Sequence, residues 1–131
     1  MKRRSDFVTN SSSSSYIICF ARIKDEEKAQ KIIEEYNLKV FDAEGVRDEM
    51  YYDELGADWA GAIIWGANKI LKEHPNDKYI IIEDYLDGYW NDDIDEYMYY
   101  YDFDANDAID AITEMNGFTN IDVQEGEGYN G

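Results

Sequence analysis

With 131 residues, 44% of them hydrophobic and 15% aromatic, the chain is the size of one ordinary domain and carries enough apolar material for a real core. Thirty Asp and Glu against twelve Lys and Arg give a formal charge of −18, a field that repels nucleic acid and anionic membrane and attracts cations or proteins with basic clefts. The single cysteine excludes a disulfide framework and any CxxC-type zinc site, and the apolar run YIICFARI is eight residues long and contains Arg22, well short of the roughly 18 needed to cross a bilayer, so a cytoplasmic protein is expected.

The chain opens with a basic Met1–Arg4, but SDFVTNSSSSS follows where a secretory signal would need an apolar core. Residues 1–15 are read as a flexible Ser-rich arm, 16–125 as one domain and 126–131 as a frayed tail. Ser15–Ile23, β-branched and aromatic, reads as a buried first strand. Asp25 caps a helix in which Ala29, Ile32, Ile33 and Tyr36 fall on one face, with Glu26 and Glu27 suited to its first turn and Asn37 able to close it. Leu38–Asp42 is a short second strand. A longer helix is expected from Ala57 to Glu73, presenting Trp59, Ile63, Gly66, Ile70 and Leu71, with Pro75 enforcing its end. Its small residues Gly61, Ala62, Gly66 and Ala67 predict close packing on a sheet.

Lys78–Tyr85 is a strand by composition, and DGYWND is read as the hairpin loop after it. IDEYMYYYDF is ambiguous: Ile94, Tyr97, Met98 and Tyr101 match helical spacing behind Asn91, yet a Tyr-rich run suits a pleated, half-exposed strand, which is the reading favoured. Asp104 or Asn106 then caps a helix with Ala108, Ile109, Ile112 and Met115 facing inward and Gly117 as a left-handed stop, and FTNIDVQ forms the last strand. The order β-α-β-α-β-β-α-β predicts an α+β fold, a single antiparallel or mixed sheet covered by two or three helices.

Met1–Ile17, with Phe7, Val8, Thr9, Asn10, the serines Ser11–Ser15 and Tyr16, resembles the opening of a diffuse set of small bacterial and phage proteins that share the phrase FV[ST]NSSSSS[FY][IV]. The resemblance covers about the first 17 residues. It implies a bacterial or phage origin and no catalytic residues.

No enzyme is expected. His74, the one histidine, precedes Pro75 at a helix end, where interaction with terminal carbonyls explains it better than base catalysis. Cys19 lies inside a strand and reads as a buried, inert thiol. The serines match no G-x-S-x-G elbow, and the glycines form neither a P-loop nor a dinucleotide fingerprint. DFDANDAID places Asp102, Asp104, Asn106 and Asp110 at calcium-loop positions one, three, five and nine. Position six is Asp107 where Gly is required, and position twelve is Thr113 where Glu is expected, so a calcium-binding module is a minor alternative and no cofactor is assigned.

Charge distribution carries the functional expectation. Residues 79–131 hold fifteen Asp and Glu and no Lys or Arg, whereas residues 1–24 hold five bases and one acid. Between Asp84 and Asp104, eight carboxylates are interleaved with eight aromatic rings, more rings than the inward positions of two strands can bury. Tyr and Trp are preferred interface residues and offer an arginine a flat face beside a carboxylate. The expected partner-binding residues are Glu83, Asp84, Asp87, Tyr89, Trp90, Asp92, Asp93, Asp95, Glu96, Tyr99, Asp102, Asp104, Asp107 and Asp110. Alternate strand positions, about 6.8 Å apart, approximate the spacing of phosphates along a nucleic-acid strand. These features predict an acidic nucleic-acid mimic that occupies the basic cleft of a DNA- or RNA-binding defence protein, an inhibitor of anti-CRISPR or anti-restriction type. The alternative is a non-enzymatic regulatory or immunity-type protein that neutralises one specific basic partner.

Overall fold

The computed structural model describes residues 12–51 and 66–130. Strand β1 (Ser12–Ile23) occupies an inner position of a four-stranded antiparallel sheet of order β2-β3-β1-β6, where β2 is Val40–Phe41, β3 is Tyr79–Asp87 and β6 is Phe118–Asn130. Among the described residues four helices cover it: α1 (Glu26–Glu35), α2 (Ala43–Tyr51), α3 (residues 66–73) and α4 (Asn106–Glu114). A separate two-stranded hairpin, β4 (Tyr89–Asn91) and β5 (Glu96–Met98), follows β3 directly. The class is α+β, as expected.

Both faces of β1 are buried, which explains its nearly unbroken apolar run. Ile17, Cys19, Ala21 and Ile23 pack with Ile80 and Ile82 of β3 under Ala29 and Ile32 of α1 and Ala108, Ile109 and Ile112 of α4. Ile18 and Phe20 pack on the other face with Tyr79, Ala43 and Val46 of α2, and Ala67 and Leu71 of α3. Each fully buried Ile or Leu contributes about 1.5–3 kcal/mol relative to an exposed one, so these two layers dominate the stability.

Local signals act where the sequence placed them. Asp25 accepts the Lys28 amide at 3.1 Å and caps α1, and Asn37 closes that helix in the left-handed region at φ 53°. Other expectations are corrected. The short helix α2 was not foreseen; Asp42, assigned to a strand, accepts the Gly45 amide at 2.7 Å and starts it. The helix expected over Ala57–Glu73 is present in its described part, with Leu71 and Ala67 buried, while Trp59, Gly61, Ala62 and Ile63 lie outside the described residues.

The chain between β3 and α4 also differs. Tyr89 and Trp90 are strand, the turn is residues 92–95, and the strand expected over 94–103 is confined to Glu96–Met98. Residues 99–105 instead cross from the hairpin to α4 and bury Phe103 in the core. Helix α4 is preceded by Ala105 without a side-chain cap, Met115 is exposed, and Gly117 serves a close approach to α1: a Cβ there would meet the Ala29 amide nitrogen at 2.9 Å. Its carbonyl accepts the amides of Lys24 and Asp25 at 2.9 and 3.1 Å.

The sheet extends beyond the expected boundaries at both ends. Ser12–Ser15 pair with residues 127–130, so the described part of the Ser-rich arm and the 126–130 tail are ladder partners of one another. Regular pairing satisfies the backbone groups that these two segments turn toward each other, the requirement that composition alone did not reveal. Met1–Ser11 lie outside the described residues.

Candidate protein-binding surface

The acidic and aromatic residues are set at one end of the sheet by the exit of β3. Gly88 joins β3 to the hairpin, and a Cβ there would lie 2.4 Å from the Met98 carbonyl oxygen and 2.5 Å from a ring carbon of Tyr97; glycine is what lets the hairpin fold back so closely. Asn91 pairs with Glu96 across the turn, where Asp95 takes the left-handed conformation (φ 55°) that Asp tolerates better than most residues. Asn91 also accepts the Asp93 amide at 3.0 Å through its side chain.

Rings line both faces of this hairpin. Trp90 stands opposite Tyr97, their centroids 6.5 Å apart in edge geometry, and Tyr97 contacts Tyr99 at 5.2 Å. Tyr89 stacks on Tyr100 at 5.7 Å. Such pairs contribute about 0.5–1.5 kcal/mol each beyond area burial, which supports a two-stranded element that water alone would leave marginal. The rings still face solvent: Tyr85 and Trp90 are each 51% exposed, and Tyr89, Tyr100 and Tyr101 are exposed as well.

Behind the hairpin, residues 99–105 are fastened to the sheet. The buried Ser15 hydroxyl donates to the Tyr100 carbonyl, Tyr101 donates its hydroxyl to Glu127 of β6, and Asp84 accepts the Ala105 amide at 3.2 Å. Phe103 anchors the segment below, edge-on to Tyr101 at 6.2 Å. The Glu127 hydrogen bond, then partial burial, then the charges of Glu127 and Glu125 push the Tyr101 phenol up to about 12.

The fourteen expected residues therefore wrap around an end instead of forming one flat row. Glu83 and Asp87 stand opposite Ile18 and Ser14 on the α2/α3 side of β3, and Asp84 stands opposite Ile17 on the α1/α4 side. Asp92, Asp93, Asp95 and Glu96 project from the hairpin, with Tyr89 and Trp90 exposed and Tyr99 half-buried. Asp102 and Asp104 are exposed on the crossing segment, and Asp107 and Asp110 on α4. Partial burial and then Glu35 raise the Tyr36 phenol pKa on α1, and Asp107 and Asp110 lie near enough to add to that rise. Among the described residues no Lys or Arg stands within ion-pair reach of the hairpin carboxylates or of Asp102 and Asp104. Asp84 is committed to the start of α4, so its first role is structural.

Glu125 and Glu127 were missed because their segment read as a tail. β6 sets both on the α1/α4 face, opposite Ile17 and Ser15, and Tyr101 joins them to the aromatic end. The alternation in QEGEGY was the available signal, since period two puts both carboxylates on one side of a strand. The chain matches no protein-family profile, no curated protein and no solved structure.

The other candidates resolve simply. Cys19 is fully buried, and burial followed by the nearby Asp122 pushes its thiol up to about 12, the condition of an unreactive cysteine. His74 lies 3.6 Å from Asp77 through Nδ1, and its own carbonyl accepts the Tyr79 hydroxyl at 2.5 Å. Among the described residues no group of three or more His, Cys, Asp and Glu is arranged to hold a metal ion; the Asn106 side chain of the calcium-like stretch donates to the Tyr101 carbonyl at 3.2 Å. No described helix is long and apolar enough to cross a membrane.

Proposed function

We propose that this protein is an acidic inhibitor that imitates nucleic acid and occupies the basic cleft of a DNA- or RNA-binding defence protein, of the CRISPR-effector or restriction-enzyme kind. The observation that carries the reading is the coincidence, at one end of the sheet, of solvent-facing rings (Tyr85, Tyr89, Trp90, Tyr100, Tyr101) with carboxylates from a stretch that contains no base. A solubilising charge requires no exposed aromatic rings beside it. A surface for guanidinium groups benefits from both, because arginine stacks on a ring and pairs with a carboxylate. Wrapping around an end suits entry into a cleft, where carboxylates on several sides meet cations on both walls.

Competition measures this directly. Labelled nucleic acid bound to a restriction endonuclease and to a CRISPR effector is titrated with the protein at several salt concentrations. Displacement that weakens as salt rises supports mimicry. Simultaneous binding of protein and nucleic acid to every effector tested would refute it.

The concentration of rings on the hairpin favours one second reading, an immunity-type protein that neutralises a single basic partner. The triple variant Asp92→Lys, Asp93→Lys, Asp95→Lys separates the two. Under mimicry, affinity falls in part because Asp102, Asp104 and their neighbours still act; for a hairpin-centred single partner it is abolished.

A further inference from the structure

The two edges of the main sheet are treated differently. At one, β2 is two residues long, a length that offers little to an incoming strand. At the other, β6 runs for thirteen residues, pairs along one side with β1, and among the described residues has no strand on its outer side. Its first part is irregular, with a register shift opposite Phe20–Arg22 and Asn120 in the left-handed region at φ 52°. From Asp122 to Asn130 the pairing with β1 is regular and contains neither Pro nor Lys, the residues that most often block an edge.

Side chains of this stretch specify what could pair there. Val123, Glu125 and Glu127 alternate on the α1/α4 face opposite Cys19, Ile17 and Ser15, and all three are exposed. Asp122, Gln124 and Gly126 take the other face, where the Tyr16 ring lies over Gly126 so closely that a Cβ would meet its hydroxyl at 2.9 Å. A second copy of this chain is disfavoured, because β6 against β6 would oppose like charges from Asp122, Glu125 and Glu127 with no base on either strand. A strand with cations at alternate positions, and an apolar side chain two places further on, would match Glu127, Glu125 and Val123 in turn.

We propose that the outer edge of β6, from Asp122 to Asn130, accepts an extended lysine- or arginine-bearing segment of a partner protein as a fifth strand. Backbone hydrogen bonds would supply the attachment and the carboxylates the choice of sequence, the division seen wherever a peptide augments a sheet. The inference is independent of nucleic-acid mimicry, which needs only side-chain charge.

Backbone chemistry decides it. A ten-residue peptide, Thr-Lys-Thr-Lys-Thr-Val-Thr-Lys-Thr-Lys, is compared with two versions N-methylated at alternate residues, one for each hydrogen-bonding edge; all carry the same charge. The unmodified peptide should bind at least tenfold tighter than one methylated version and should slow hydrogen exchange at alternate amides between Asp122 and Asn130. Glu125→Gln should weaken it severalfold without changing the exchange pattern of the free protein. Equal affinity for all three peptides, no binding of any, protection elsewhere on the molecule, or the same protection produced by raising protein concentration alone would each overturn the proposal.

Discussion

The two ends of β1 and β3 handle charge in opposite ways. At the Arg22 end charge is held in a paired cluster: Arg22 donates to Asp77 at 2.6 Å and to Asn120 at 2.8 Å, Asp77 also faces His74, and Tyr79, fully buried, donates to the His74 carbonyl while stacking on Phe20 at 5.6 Å. At the hairpin end, some eight strand residues away and about 27 Å along the sheet, hydrogen bonds run mainly between rings, hydroxyls and backbone, and the carboxylates of the turn face water. The first end is built to stay folded. The second sets rings and carboxylates toward solvent, and that asymmetry is the main reason for proposing a binding role there.

Deleting one ring from each end tests the contrast most strongly. Phe20→Ala should cost about 3–5 kcal/mol, the loss typical of a large ring removed from a packed core, whereas Tyr89→Ala, which removes a half-exposed ring and its stack on Tyr100, should cost only about 0.5–1.5 kcal/mol. Urea unfolding of both variants measures the difference. Equal losses would mean that the hairpin is part of the core and would undo the division between the ends.

A smaller effect is expected at two glycines. Gly88→Ala drives a Cβ into the Met98 carbonyl and the Tyr97 ring, and should cost about 1–3 kcal/mol as overpacking does, with the Trp90 fluorescence environment altered as the hairpin moves. Gly66→Ala, in α3, meets nothing nearer among the described residues than Asp122 at 3.7 Å and should stabilise by about 0.5–1 kcal/mol through helix propensity. A tolerated Gly88→Ala would show that the hairpin is not held against β3 as the geometry requires.

These contrasts also mark what was legible in the sequence. Asp25, Ala29, Ile32 and Asn37 announced α1 because capping and apolar spacing are local, and YIICF announced β1 because burial on both faces removes alternation. The hairpin end was harder. Residues 94–103 carried strand and helix patterns at once, and the deciding contacts, Phe103 in the core and Ser15 on the Tyr100 carbonyl, join positions far apart in the chain. Gly117 read as a stop because glycine serves either a left-handed turn or a close approach, and only the position of Ala29 distinguishes them. Glu125 and Glu127 were lost to a tail because the strand that orders them, Ser12–Ile17, looked like a linker where it is serine.

The ion pair offers a third comparison. Arg22→Met leaves Asp77 and Asn120 without their partner and should cost about 1–2 kcal/mol, discounted from the usual value for charged hydrogen bonds because Asp77 is partly exposed. Asp93→Asn on the hairpin should leave the urea midpoint essentially unchanged. If Asp93→Asn is the more damaging of the two, the hairpin carboxylates have structural partners and the surface has been misread.

The smallest effect lies where the ends of β1 and β6 meet the crossing segment. Tyr101 is exposed, yet its hydroxyl donates to Glu127, and its phenol is pushed up to about 12, against roughly 10 in an unfolded chain. The native state thus holds this proton more tightly than the unfolded state. The contribution of the bond to stability is fully present below pH 10 and is lost as pH rises from 10 toward 12. Tyr101→Phe should therefore be slightly less stable than the parent at pH 8, with the gap closing across that interval, and the parent's ultraviolet titration should show a late-ionising phenol that the variant lacks. If the phenol removed by the substitution instead titrates near 10, Tyr101 is not held by Glu127, and the crossing segment is fastened by Ser15, Asp84 and Phe103 without it.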